Sequence, residues 1–229
     1  MITHHKKMTK YKNKYRIEPN RWQFWDYSAP GRYFLTVCIQ DMECILGNVM
    51  NKKMVLSEFG NIVETEINEI PTYHPRIILD EWKVMPNHIH LIIELGEYNY
   101  NNGIADDNGN DNVDKIHEFY LRYRDCYQPT IDEIKQYRKL RRRMLIPKIL
   151  GKLQMKTSKE INQIQKTPGH KNWQSDYHDH IIRDDASYHR IKNYIINNPK
   201  KWEEEKFNAD NPVKKNHDFS PKNNGGAAL

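Results

Sequence analysis

Cysteine is scarce in this chain: three in 229 residues, Cys38, Cys44 and Cys126, an odd number with no C-x-x-C pair. That argues against a disulfide scaffold and against a zinc–thiolate site. Long apolar runs are missing too. No stretch of about 18 apolar residues occurs, so no membrane span is expected. The opening segment, MITHHKKMTKYKNKYRIEPN, is basic but lacks the apolar core of a secretory signal, which points to the cytoplasm. Hydrophobic residues make up only 38% while charged residues reach 29% and tyrosine numbers 14, so a modest core under a polar, partly aromatic surface is expected. No internal repeat is visible.

What is present is positive charge, unevenly spread. The net charge is +6 and the isoelectric point about 9.0, which favours a polyanionic partner. The first twenty residues carry five lysines and one arginine against one glutamate. Residues 137 to 143, YRKLRRR, are strongly basic, whereas 97 to 114, EYNYNNGIADDNGNDNVD, hold acids and asparagines and no Lys or Arg. Basic segments of this kind suit phosphate-backbone contact, and equally suit a solvated helix face or a loose tail.

Strand and helix patterns alternate along the chain. GRYFLTVCIQ from Gly31 reads as a strand. Ser57 can cap a helix in which Phe59, Ile62, Val63, Ile67 and Ile70 recur at helical spacing, with Pro71 closing it. RIILDEWKVMP and HIHLIIEL read as two strands joined at Pro86-Asn87. IPKILGKLQMKTSKEINQIQ is an amphipathic helix with a lysine-rich outer face. WQSDYHDHIIRD ends in a strand-like piece, and DASYHRIKNYIINNP forms a helix capped near Asp185 and ended by Pro199. This order predicts an α+β fold of ferredoxin-like type, an antiparallel sheet with helices on one side. The expected organisation is a basic arm at 1–20, one domain at 21–207 with a polar insertion and basic segment at about 97–145, and a disordered tail at 208–229.

The chemistry-bearing motif is PNHIHLII. Side chains alternate along a strand, so His88 and His90 project from one face and their ring nitrogens can converge on one ion or phosphate. Two ligands do not hold a metal alone, and a third must come from elsewhere. In YHRIKNYIINNPKKW, Tyr194 and Asn198 lie four apart on one helical face. Packed over the sheet, that face would bring the Asn198 oxygen to the ion and the Tyr194 hydroxyl beside it. Taken singly, each of these residues also fits a plain structural role.

The three motifs VMPNHIHLII, WQSDYHDHIIR and YIINNPKKW, in this order after the GRYFLTV strand, resemble those of the REP-associated tyrosine transposases. These are single-tyrosine transposases of the HUH (His-hydrophobe-His) nuclease superfamily. The resemblance runs from about Arg21 to Trp202, interrupted at about 97–145. It implies the HUH endonuclease fold and a divalent-metal-dependent endonuclease and strand transferase. Such an enzyme acts on single-stranded DNA with palindromic hairpins, through a 5′-phosphotyrosine, as monomer or homodimer. By motif position it implies His88, His90 and Asn198 as ligands of Mg²⁺ or Mn²⁺ and Tyr194 as nucleophile. Tyr177, inside WQSDYHDHIIR, is the second choice. A DNA-binding transposase would work in the cytoplasm, on the nucleoid when bound to its target.

For the substrate, Arg21, Trp22 and Arg32, interleaved with aromatics in RWQFWDYSAPGRYF, suit a single strand held by stacking and charge. The same aromatics could instead close the core. Arg138, Lys139, Arg141, Arg142 and Arg143 could grip a hairpin stem through its phosphates. Two other classes compete. Histidine-triad nucleotide hydrolases require a third histidine where this chain has Ile92. A transposase derivative that binds hairpin DNA or RNA without cutting has no need of all four of His88, His90, Tyr194 and Asn198.

Overall fold

The structure, a computed structural model, describes residues 10–11, 15–16, 25–97, 130–204 and 207–208. Its centre is a four-stranded antiparallel sheet. In chain order the strands are β1 (Gly31–Ile39), β4 (Ile77–Met85), β5 (His88–Leu95) and β6 (Trp173–Ile182), and they lie side by side as β4-β5-β1-β6. Between β1 and β4 comes a small hairpin, β2 (Gly47–Met50) with β3 (Lys53–Leu56). The helices are α1 (Glu58–Asn68), a single turn α2 (Ile70–Tyr73), α3 (Ile131–Arg141), α4 (Leu145–Gln165) and α5 (Asp185–Asn197).

Alternation along β5 divides the molecule. Ile89, Leu91, Ile93 and Leu95 point into the larger core, shared with Tyr33, Leu35 and Val37 of β1, Val63 and Ile67 of α1, and Ile149, Leu150 and Leu153 of α4. Both helices therefore cover one face of the sheet, as the ferredoxin-like pattern predicts. The opposite face carries His88, His90 and Ile92. There α5 lies across the strands, packing Ile195, Ile191 and Tyr188 against Ile92, Ile182 and Phe34. The sheet is thus covered on both faces, and this second packing is what brings Tyr194 to the histidines.

Local chemistry sets the element ends. Ser57 caps α1, accepting from the Gly60 amide at 3.1 Å. Gly60 sits so tightly against the Leu46 carbonyl that a Cβ would collide with it. Pro71 does not stop the chain dead: it occupies the first turn of α2, where a missing N–H costs nothing. The cap of α5 is Asp184, which accepts from the Ser187 amide at 2.7 Å, one residue before the predicted Asp185. Pro199 likewise falls inside a 3₁₀ segment, Asn198–Glu204, that continues from α5. No helix among the described residues is long and apolar enough to cross a membrane.

Of the predicted insertion, 98–129 lies outside the described residues. Its end is helix α3, opened by a capping box between Thr130 and Glu133. The predicted arm is described only at 10–11 and 15–16, which pair as a two-residue ladder, and the predicted tail only at 208.

Candidate functional site

The site lies on the α5 face of the sheet. His88 and His90 are 0% and 1% exposed, so neither is a half-solvated surface histidine. Their Nε2 atoms approach to 3.0 Å. Each outer nitrogen is held from behind. Nδ1 of His88 lies 2.8 Å from Oδ1 of Asn87. The orientation of that amide is set by its other end, because Asn87 Nδ2 donates to the carbonyls of Met42 and Phe207 at 3.0 and 2.8 Å. Oδ1 must then accept, so Nδ1 of His88 carries the proton and its Nε2 presents a lone pair. Nδ1 of His90 lies 2.8 Å from the Thr36 hydroxyl on the neighbouring strand.

Helix α5 delivers the third group. Oη of Tyr194 is 3.2 Å from Nε2 of His90, with the rings 5.2 Å apart and edge-on, and Phe34 supports the phenol from the side. Asn198, one helical turn beyond Tyr194, is 1% exposed and its Oδ1 is shut off from solvent. Among the described residues no group of three or more His, Cys, Asp or Glu converges as a metal site. The side chains that the structure brings together here are the two imidazoles and the Tyr194 phenol.

Ionic contacts flank helix α5 on both sides. Lys192 Nζ binds Asp80 of β4 and donates to the Tyr188 hydroxyl at 3.1 Å. The hydrogen bond with Asp80, followed by that with Tyr188, raises the Lys192 ammonium above its ordinary value. Burial alone would raise the Asp80 carboxyl, but hydrogen bonds from Lys192 and Tyr188 outweigh it and hold the group below its ordinary value. Arg32 meets Glu94 at 3.0 Å and Asp185 at 3.2 Å, and its guanidinium lies 4.6 Å from the centre of the Tyr188 ring. Its charge is thus engaged with β5 and with the start of α5, contacts the sequence did not suggest.

The remaining predicted contacts distribute differently. Arg21 and Trp22 lie outside the described residues. Their neighbours Trp25, Tyr27 and Tyr33 close the large core, with Tyr27 and Tyr33 fully buried, which resolves the choice between stacking platform and core. Arg138, Lys139, Arg142 and Arg143 are exposed and Arg141 half-buried on and just after α3. That helix is anchored by Ile134, Tyr137 and Leu140 to the large core, on the other face from the histidines. Tyr177 also packs toward the large core, so it does not share the face of His88 and His90.

Sequence reasoning missed Thr36, Asn87 and Phe207. The Phe207 ring lies 4.6 Å from His88 and Trp202 6.1 Å from it, and together they cover the pair. Asn87 directly precedes His88 and, along the chain, has the pattern of a turn residue. Thr36 and Phe207 carry no signal along the chain.

No family model matches the chain. A protein of Haemophilus influenzae, described as uncharacterized, is 31% identical over 190 residues, covering 83% of this chain and 92% of its own. The two chains belong to one family. Two solved structures are similar at lower identity. One is a REP-associated tyrosine transposase bound to a REP hairpin, 18% identical over 80% of this chain and 74% of that one, at a TM-score of 0.39. The other is a candidate transposase of Deinococcus radiodurans, 13% identical over 74% and 91%, at a TM-score of 0.37.

Proposed function

We propose that this protein is a metal-dependent single-stranded DNA endonuclease and strand transferase, a transposase that cuts and rejoins DNA near hairpins with Tyr194 as nucleophile. The observation that carries this reading is the Tyr194 hydroxyl at 3.2 Å from His90 Nε2, itself 3.0 Å from His88 Nε2. An isolated His-x-His pair or a lone tyrosine would mean little. Their convergence from a central strand and a helix more than a hundred residues later is hard to explain by packing alone.

The donor set fits a divalent ion. The two Nε2 atoms lie 3.0 Å apart, and imidazole nitrogens are common ligands of divalent transition metals. Nε2 of His88 turns a lone pair toward Nε2 of His90, and either a cation or a proton carried by His90 Nε2 can meet it. His88, His90 and Asn198 would hold Mn²⁺ or Mg²⁺, and the imidazole donors favour Mn²⁺. Bound there, the ion would withdraw charge from a non-bridging phosphate oxygen.

The chain's own residues supply the rest. Tyr194 Oη forms a bond to phosphorus as the bond to the 3′ oxygen breaks. The phenolic proton passes to solvent and the departing oxygen takes one up, leaving a 3′-OH and a 5′-phosphotyrosine. Because a phosphoester is retained, another 3′-OH can displace the tyrosine and rejoin the strand without an energy source. Phe34 and the His90 ring hold the phenol in place, and Arg32 and Lys192 hold the helix that carries it. The basic residues of α3 would grip a hairpin stem through its phosphates.

The test is a panel of single-stranded hairpin oligonucleotides incubated with Mn²⁺ or with EDTA and resolved on a denaturing gel. A metal-dependent covalent adduct is expected with the wild type and none with Tyr194→Phe, which should still bind DNA. Adducts that persist in Tyr194→Phe refute the nucleophile. Binding without any adduct favours the non-catalytic reading.

A further inference from the structure

The row of the sheet that contains His90 carries two more side chains that the chemistry above does not use. Lys83 of β4 pairs directly with His90, His90 with Thr36, and Thr36 with His178 of β6. Residues directly opposite one another in an antiparallel sheet project from the same face. The next residues confirm the parity, since Val84 and Tyr177 turn to the large core on the other side. Lys83, His90, Thr36 and His178 therefore form a line across four strands, three strand spacings or about 14 Å long. The middle two are buried, whereas Lys83 is half-buried and His178 exposed, each on an edge strand.

Neighbouring rows are blocked. On one side, Phe34 and Ile92 lie under α5. On the other, His88 lies against Trp202 and Phe207. Over the two central strands, apolar and aromatic side chains therefore flank the His90 row in both directions along the strands. The cationic and hydrogen-bonding side chains of the row itself run across the strands, to Lys83 at one edge and His178 at the other.

We infer that this row is the track of the single-stranded substrate, with Lys83 binding a phosphate on one side of the one attacked and His178 binding a phosphate on the other. The inference rests on the proposal that Tyr194 attacks a phosphodiester beside His90. Lys83 supplies a compact positive charge and His178 a ring N–H donor, both suited to phosphate oxygens. The length of the row leaves room for the attacked phosphate between them.

The experiment measures binding rather than cleavage, in a Tyr194→Phe background. A fluorescein-labelled hairpin oligonucleotide with a single-stranded flank is titrated by anisotropy at several salt concentrations. Lys83→Gln should make the slope of log K against log salt shallower by about 0.7, the value of one single-strand phosphate contact. Lys83→Arg should restore it. His178→Asn should weaken binding by about tenfold. Single methylphosphonates scanned along the flank should reveal one position at which Lys83→Gln has no further effect and another at which His178→Asn has none, with the attacked phosphate between them.

Unchanged slope and affinity, or both coupled phosphates on the same side of the adduct site, would overturn the track. If the wild type forms no adduct while both couplings appear with one phosphate between them, the chemistry fails and the track stands. Thermal melts of the variants exclude loss of folding as the cause.

Discussion

Removing the Lys192–Asp80 contact tests whether the tyrosine helix is held by ionic pairs or by its apolar face alone. The two side chains are 30% and 19% exposed. Exposed pairs contribute about 0.2–1 kcal/mol, whereas stripping one partner from a fully buried pair costs about 3–5 kcal/mol. This pair lies between, so Lys192→Met should cost about 1–2 kcal/mol. For a chain of this size that lowers Tm by about 2–8 °C. The cost falls on α5, so the ratio of docked to undocked helix drops by about 5–30-fold, and adduct formation should slow while DNA affinity holds. A double-mutant cycle with Asp80→Asn should give a coupling of about 1 kcal/mol. The pH dependence has a definite sign. Asp80 is depressed in the folded state, so its contribution is full above the ordinary carboxylate range and is lost as pH falls through the lowered folded value. Lys192 is raised, so its contribution is full below its ordinary value of 10.5 and is lost as pH rises through the raised folded value. Stability should therefore fall less steeply with acidification in Lys192→Met than in the wild type. If the two single substitutions simply add, the ionic contact does not hold the helix and the argument fails.

Other outcomes follow from the same contacts. Thr36→Val removes the hydroxyl 2.8 Å from Nδ1 of His90 and should weaken Mn²⁺ binding about 10–100-fold by calorimetry; unchanged affinity would show that this contact does not orient a ligand. Phe207→Ala uncovers His88 and should speed Mn²⁺ uptake in stopped-flow measurements, an effect that equal rates would contradict. Tyr177→Phe should leave adduct formation intact, since Tyr177 belongs to the large core; loss of adduct at unchanged Tm would reinstate it as the nucleophile.

The sequence by itself determined the strands and helices around the motif. Period-two alternation in HIHLIIEL and helical spacing in LSEFGNIVETEIN are local properties, and local sterics enforce them. It also placed His88 with His90 on one face, because alternation along a strand needs no partner. The small β2–β3 hairpin escaped notice, since GNVMNKKMVL has too few apolar residues to declare a sheet of its own. What only the tertiary structure decided is which elements meet. Tyr194 reaches His90 because α5 crosses to the face left open by α1 and α4, and that choice depends on Ile92, Ile182 and Phe34 forming one apolar patch there for the helix to cover. Thr36 behind His90, Arg32 on Asp185 and Lys83 beside His90 are products of strand register and ion pairing between distant segments. Register is set by the whole sheet closing over its core, and no window of sequence contains it.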